Sequence, residues 1–134
     1  MQLPPKECNP VKKLICLLTL CLFAAACRSY PTVYEVKNRA VTVAEGQTLR
    51  QAILQAGRGR RWMMHEVKPG LIQGVLNVCG HEVVVNIPYT QDSFSIEYVS
   101  SENMRYNPKK NRIHRKYKQW VRNLEVDIYR FAQM

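Results

Sequence analysis

Leu71-Ile72-Gln73-Gly74-Val75-Leu76-Asn77-Val78-Cys79-Gly80-His81-Glu82-Val83-Val84-Val85-Asn86-Ile87-Pro88-Tyr89 is the stretch that decides the fold. Ile72, Gly74, Leu76 and Val78 alternate with Gln73, Val75 and Asn77. After Gly80, Val83, Val85 and Ile87 take one side, while Glu82, Val84 and Asn86 take the other. A period of two belongs to an extended strand, whose side chains point to opposite faces in turn. Two such runs joined at a glycine turn make an antiparallel hairpin with one apolar face. Pro88 has no N–H to give a ladder, so pairing stops there or the strand is an edge.

The pattern extends in both directions. Upstream, Trp62 to Val67 reads as a strand, and Lys68-Pro69-Gly70 is turn chemistry, with proline presetting φ and glycine accepting positive φ. Downstream, Thr90-Gln91-Asp92-Ser93 is a turn, after which Phe94, Ile96 and Tyr98 alternate with Ser95, Glu97 and Val99. The expectation is a four-stranded antiparallel meander. Two helices flank it. In Gln47 to Ala56, Leu49, Ala52, Ile53 and Ala56 recur at the spacing of one helix face, with Gly57 ending the helix. The last helix is expected to be capped by Asn111 and to carry Ile113, Tyr117, Trp120, Val121, Leu124, Ile128 and Phe131 as its apolar stripe. The class is therefore α+β, with both helices packed on one face of the meander.

Before the meander the chain changes character. Lys12 and Lys13 precede an apolar run from Leu14 to Ala26, which closes on Ala24-Ala25-Ala26-Cys27. A basic start, a short apolar segment and a small-residue exit are the parts of an export signal. The run is shorter than the ~20 residues a bilayer core needs, so a permanent span is not expected. The expected organisation is a signal peptide over 1–26, a lipidated N-terminus and tether over 27–46, and an α+β domain over 47–134. Within the tether, the short alternation from Val33 to Val43 can add an edge strand at most. Ala25-Ala26-Cys27 looks like the end of a lipobox, the signal cut before a diacylated cysteine; Ala24 stands where a branched residue is usual. Ala24-Ala25-Ala26 equally satisfies ordinary cleavage, which would leave the same Cys27 unlipidated.

Removing 1–26 takes away Cys8, Cys16 and Cys21, and acylation would consume Cys27. Cys79 is then left without a partner for a disulfide framework, and its expected place is a buried apolar site. The processed chain keeps 17 of the 20 Lys and Arg and 9 of the 10 Asp and Glu. The excess sits in one segment: Arg105, Lys109, Lys110, Arg112, Arg115, Lys116, Lys118 and Arg122, with no acid between them.

The residues Ala52-Ile53-Leu54, Ala56-Gly57, Trp62, Gly70, Ile72, His81, Ile87, Tyr89, Phe94-Ser95-Ile96, Tyr98, Ser101, Asn103, Tyr106, Ile113-His114, Tyr117, Trp120-Val121 and Leu124 resemble a family of small Gram-negative bacterial lipoproteins to which no reaction is attached. That family tends to have an arginine near Cys79 and an asparagine where this chain has Lys118. The resemblance implies an α+β domain in the cell envelope. With Arg28 after the cysteine rather than aspartate, it implies the outer membrane, facing the periplasm.

No spacing selects a catalytic group. Ser95, Ser100 and Ser101 lack a nucleophile-elbow context, and no pair of carboxylates is singled out for glycan cleavage. Cys79 and His81, with His65 and His114, lack the paired short spacings of a structural zinc site, so no metal or cofactor is expected. Ser101, Asn103, Tyr106, His114 and Tyr117 read mainly as capping and loop-satisfying residues, with a small binding site near the helix start as the functional reading. Export argues against a nucleic-acid partner for the basic segment. The expected role is a non-enzymatic interaction module in which Arg112, Arg115, Lys116 and Lys118 meet anionic lipid headgroups or an acidic envelope protein. The alternative is a binder of a small ligand or peptidoglycan fragment through Ser101, Asn103 and His114.

Overall fold

The computed structural model describes residues 29–134; the expected export signal and Cys27 lie outside them. In chain order the elements are β1 (Val36–Ala40), α1 (Leu49–Gly59), β2 (Met63–Lys68), β3 (Leu71–Val78), β4 (His81–Pro88), β5 (Ser93–Glu102) and α2 (Lys116–Ala132). The sheet runs β1-β5-β4-β3-β2, antiparallel throughout. It therefore has five strands, not four. The fifth is β1, from the segment read as a tether.

The central hairpin forms as its alternation requires. Ile72, Gly74 and Leu76 of β3, and Val83, Val85 and Ile87 of β4, are buried, while the intervening side chains are part-exposed. The register pairs Val78 with His81 and runs to Leu71 opposite Pro88, and Tyr89 N–H still donates to the Gly70 carbonyl at 2.9 Å just beyond it, so Pro88 does not break the pairing with β3. Cys79 and Gly80 are the two residues between, both at positive φ (50° and 76°), as a tight hairpin turn of mirror-image type demands. Cys79 is exposed there rather than buried in the core, and its sulfur is disulfide-bonded, which corrects the expectation of a buried, unpaired thiol.

α1 begins at a capping box: Gln51 N–H donates to Thr48 Oγ1, and Thr48 N–H donates to Gln51 Oε1, both at 3.2 Å. Gly57 does not end it. The helix continues to Gly59 with Arg60 as its C-cap, and Gly57 is buried because the Met64 side chain lies where a Cβ would be. Met64 also covers Gly74, where a Cβ would meet Met64 Sδ and Trp62 Cε3 at 3.2 Å. Two glycines thus let α1 and the sheet close around Met64 and the buried Trp62.

The buried residues of the strands and of both helices form one core, with Phe94, Ile96, Ile53, Tyr117, Leu124 and Ile128 among its largest members. Each such aliphatic or aromatic side chain contributes about 1.5–3 kcal/mol by leaving water. α2 lies beside α1. It starts at Lys116, not after Asn111. Ile113 is buried but precedes the helix, and Asn111 sits at positive φ in the preceding turn, so it caps nothing. The buried face of α2 also includes Glu125 and Asp127. Glu125 accepts from Tyr34 Oη at 2.9 Å and faces Arg39, while Asp127 is held by Arg60 and Arg130. These carboxylates tie β1 and the end of α1 to α2.

Candidate functional site

The connection from β5 to α2 folds back on itself. Asn107 and Arg112 exchange backbone hydrogen bonds at 2.8 and 3.1 Å, and Lys110 N–H donates to Asn107 Oδ1 at 3.1 Å. The N-terminal segment lines up against this turn: Val33 N–H donates to the Asn111 carbonyl at 2.9 Å, and Ile113 N–H to the Pro31 carbonyl at 3.0 Å. Buried Met104 and Ile113 pin the loop to the core, and His114 N–H closes it by donating to the Met104 carbonyl at 2.9 Å. Residues 29–33 and 103–115 therefore form one surface at the start of α2.

That surface is cationic. Arg105, Lys109, Lys110, Arg115, Lys116, Lys118 and Arg122 are exposed and Arg112 is half-buried. Among the described residues, none of these eight makes an ion pair; the pairs that form use Lys37, Arg39, Arg50, Arg60 and Arg130 instead. Three of the eight meet neutral groups. Arg105 Nη1 donates to Tyr30 Oη at 2.7 Å, Arg112 Nη1 donates to Ser29 Oγ at 2.6 Å, and Lys118 Nζ stands 5.7 Å from the Tyr34 ring centroid. Arg115, Lys116 and Lys118 also crowd the start of α2, the positive pole of its dipole, with no acid in the first turn and no side-chain cap. Each such cation costs a few tenths to about 1 kcal/mol at that end of a helix.

Two histidines converge at the same place. The His81 and His114 rings stack at 6.0 Å with 24° between their planes, and Tyr30 lies 6.1 Å from His114. His81 Nδ1 bonds the Asn103 carbonyl at 2.7 Å, and Asn103 Nδ2 donates to the Gly80 carbonyl at 2.6 Å. Lys116 N–H donates to His114 Nδ1 at 3.3 Å, so in the neutral ring the proton is on Nε2. Ser29, Tyr30, Pro31, His114 and Arg115 line a cavity of about 360 Å³. Beyond Arg115 a shallower depression of about 340 Å³ continues along Lys118, Gln119, Arg122 and Asn123.

The His114 pKa is pushed down, first by burial and then by His81, Lys116, Arg115 and Arg105. The native state thus prefers neutral His114, whereas the unfolded chain protonates it near the ordinary value of 6.5. The unfolded state then binds more protons, so stability should fall as pH drops below about 6.5 and level off once pH passes below the native pKa. Denaturation midpoints from pH 8 to pH 5 should show a slope that His114→Gln reduces; an unchanged slope in the variant would refute the assignment.

The residues expected to form a small-ligand site are only partly brought together. His114 lines the cavity. Asn103 serves the β3–β4 turn, and Ser101 Oγ is 2.8 Å from Tyr98 Oη along β5. Tyr106 packs on Tyr98 with ring centroids 4.5 Å apart. Tyr117 is fully buried with its hydroxyl unpartnered, and burial, with Glu35 and Tyr98 nearby, pushes its pKa far up. Ser29, Tyr30, Pro31 and His81 were not singled out by sequence for this site; they arrive from positions remote along the chain, and no local pattern marks them.

Among the described residues, no group of three or more His, Cys, Asp or Glu is placed to hold a metal, and no helix is long and apolar enough to cross a membrane. No family model, curated protein or solved structure matches the chain.

Proposed function

We propose that the protein is a non-enzymatic envelope lipoprotein, anchored through Cys27 at the periplasmic face of the outer membrane, whose basic loop and α2 start form an interaction surface for anionic partners. The observation that carries this reading is the set of eight cations from Arg105 to Arg122 that form no ion pair among the described residues. Cations clustered at the positive pole of α2 work against folding, which is the cost expected of a surface kept for an anionic partner. The position of the surface supports a membrane. Ser29, on its edge, follows Cys27 by two residues, and a chain reaches at most about 3.6 Å per residue. An acyl anchor on Cys27 would hold the basic face within about 7 Å of its attachment point, where each Lys or Arg gains about 1 kcal/mol from anionic headgroups.

The quadruple variant Arg112→Gln, Arg115→Gln, Lys116→Gln and Lys118→Gln should lose at least ~10-fold in affinity for phosphatidylcholine vesicles containing phosphatidylglycerol. It should also lose crosslinking to any acidic envelope protein; unchanged capture by both sinks the reading. The anchor has its own readout in the mass of the mature N-terminal peptide, taken with and without reduction. If Cys27 is acylated its sulfur is consumed by the thioether, and the Cys79 disulfide then joins two processed chains; if Cys27 is not acylated, Cys79 can pair with it inside one chain. Acyl mass on Cys27 supports the anchor, whereas a Cys27–Cys79 peptide refutes it. The small-ligand reading is favoured by one observation, the cavity beside His114.

A further inference from the structure

We propose that the cavity between Pro31 and His114 is a specific site for one phosphoryl group, supplied by a lipid headgroup of the membrane that holds the anchor. This deepens the reading above and rests on it for the anchor alone.

The volume, about 360 Å³, suits a headgroup and excludes a folded partner. Its chemistry is that of a phosphoryl receptor. Arg115 lines the wall, and Arg105 and Arg112 each donate through Nη1 to another wall residue, Tyr30 and Ser29 respectively. A guanidinium carries five donors in a planar fork, so each of these two keeps N–H groups for an oxyanion, and arginine matches phosphoryl geometry with two parallel bonds. His114 adds a donor: Nδ1 is occupied by Lys116 N–H, which leaves Nε2–H. After burial, the groups that push the His114 pKa down are His81 at the start of β4, Arg105 on the loop after β5, and Arg115 and Lys116 at the start of α2, while the N-terminal segment faces it with the Tyr30 ring. The groups that push it down are all basic. Among the described residues, no carboxylate lines this cavity or the depression beyond Arg115. The cavity's other wall, Ser29 to Pro31, is the part of the described chain nearest Cys27. The guest and the anchor would therefore share one membrane leaflet.

The test uses the full processed chain in a non-ionic detergent, with His114 followed by nuclear magnetic resonance, and the same chain in vesicle sedimentation. At constant ionic strength, inorganic phosphate but not chloride should raise the His114 pKa and compete with binding to phosphatidylcholine vesicles that contain phosphatidylglycerol. Two double variants remove equal charge. Arg105→Gln with Arg115→Gln should weaken both effects ~10-fold, the scale of a lost charge-assisted contact, whereas Lys109→Gln with Lys110→Gln should change them less than about threefold. Equal loss in the two variants would mean a diffuse field; it overturns the cavity site and leaves the basic-surface reading intact. Phosphate binding without any preference for the anionic vesicles overturns the lipid source. Absence of both responses in the wild-type chain overturns the site and the surface together. If the arginine variant fails to fold, competition by phosphate against chloride in the wild-type chain still decides.

Discussion

Val36→Asp should unfold the domain, although Val36 lies in a segment whose sequence reads as a tether. Val36 is fully buried, pairs with Ile96 of β5 and belongs to the common core. A carboxylate there would sit in the hydrophobic core, and an unpaired buried charge costs several kcal/mol, a large share of the ~5–15 kcal/mol that holds a domain folded. The segment around it is fixed along its whole length. Val41 N–H donates to the Asp92 carbonyl and Ala44 N–H to the Ala132 carbonyl, both at 2.8 Å; Tyr129 Oη donates to the Ala40 carbonyl at 3.2 Å. Lys37→Gln, at an exposed neighbour, should change stability by less than about 0.5 kcal/mol. Both variants are read by denaturant unfolding. A Val36→Asp protein within about 1 kcal/mol of wild type would mean that β1 is an appendage and not part of the folded unit.

Why β1 escapes a reading by pattern is visible in its residues. Of its five positions only Val36 points inward; Lys37, Asn38, Arg39 and Ala40 are exposed. The ladder slips between Val36 and Arg39, where Asn38 adopts φ 45° and its N–H donates to Ser95 Oγ at 2.9 Å. A bulge breaks the period of two, and the short alternation of Val33, Glu35 and Lys37, which suggests an edge strand at most, runs out of phase with Val36, the one residue of β1 that is buried. The central strands behave in the opposite way: each offers three or four inward positions at strict spacing, so β3 and β4 lie within a residue of the bounds their alternation gives. The start of α2 misleads for a different reason. Ile113 stands four residues before Tyr117, which is helical spacing, and both are buried. Yet Ile113 is reached by an extended backbone that pairs with Pro31, a contact 82 positions away that a local pattern cannot contain.

The candidate site divides along the same line. Its charge was legible, because eight cations without an intervening acid form a composition signal that needs no structure. Its shape was not. The cavity takes Ser29, Tyr30 and Pro31 from one end of the described chain, and the stack beside it takes His81 from the sheet and His114 from the other end. Only closure of the sheet by β1 brings the N-terminal segment against the loop. The residue that costs the most when β1 is missed is thus Tyr30, which both receives Arg105 and walls the cavity.

Arg60→Ala should destabilise the protein by roughly 2 kcal/mol, and far more than Asp127→Asn, because the two ends of their ion pair see different surroundings. The Asp127 side chain is 5% exposed and that of Arg60 43%, with Arg60 reaching from the C-cap of α1 to the buried face of α2. Deleting the cation strands a carboxylate in the interior with, among the described residues, only Arg130, at 3.4 Å, to face it. Deleting the anion instead releases a guanidinium that is already half in water. The expected cost lies between the ~1 kcal/mol of a surface pair and the 3–5 kcal/mol of a buried one. Asp127→Asn keeps shape and hydrogen-bonding capacity and should cost less than about 1 kcal/mol. In the double variant the stranded group is neutral, so Asp127→Asn should restore a large part of what Arg60→Ala removes. A double-mutant cycle by urea unfolding measures this directly. Equal costs for the two single variants, or strict additivity in the double, would show that the α1–α2 junction rests on Ile53, Leu124 and Ile128 alone.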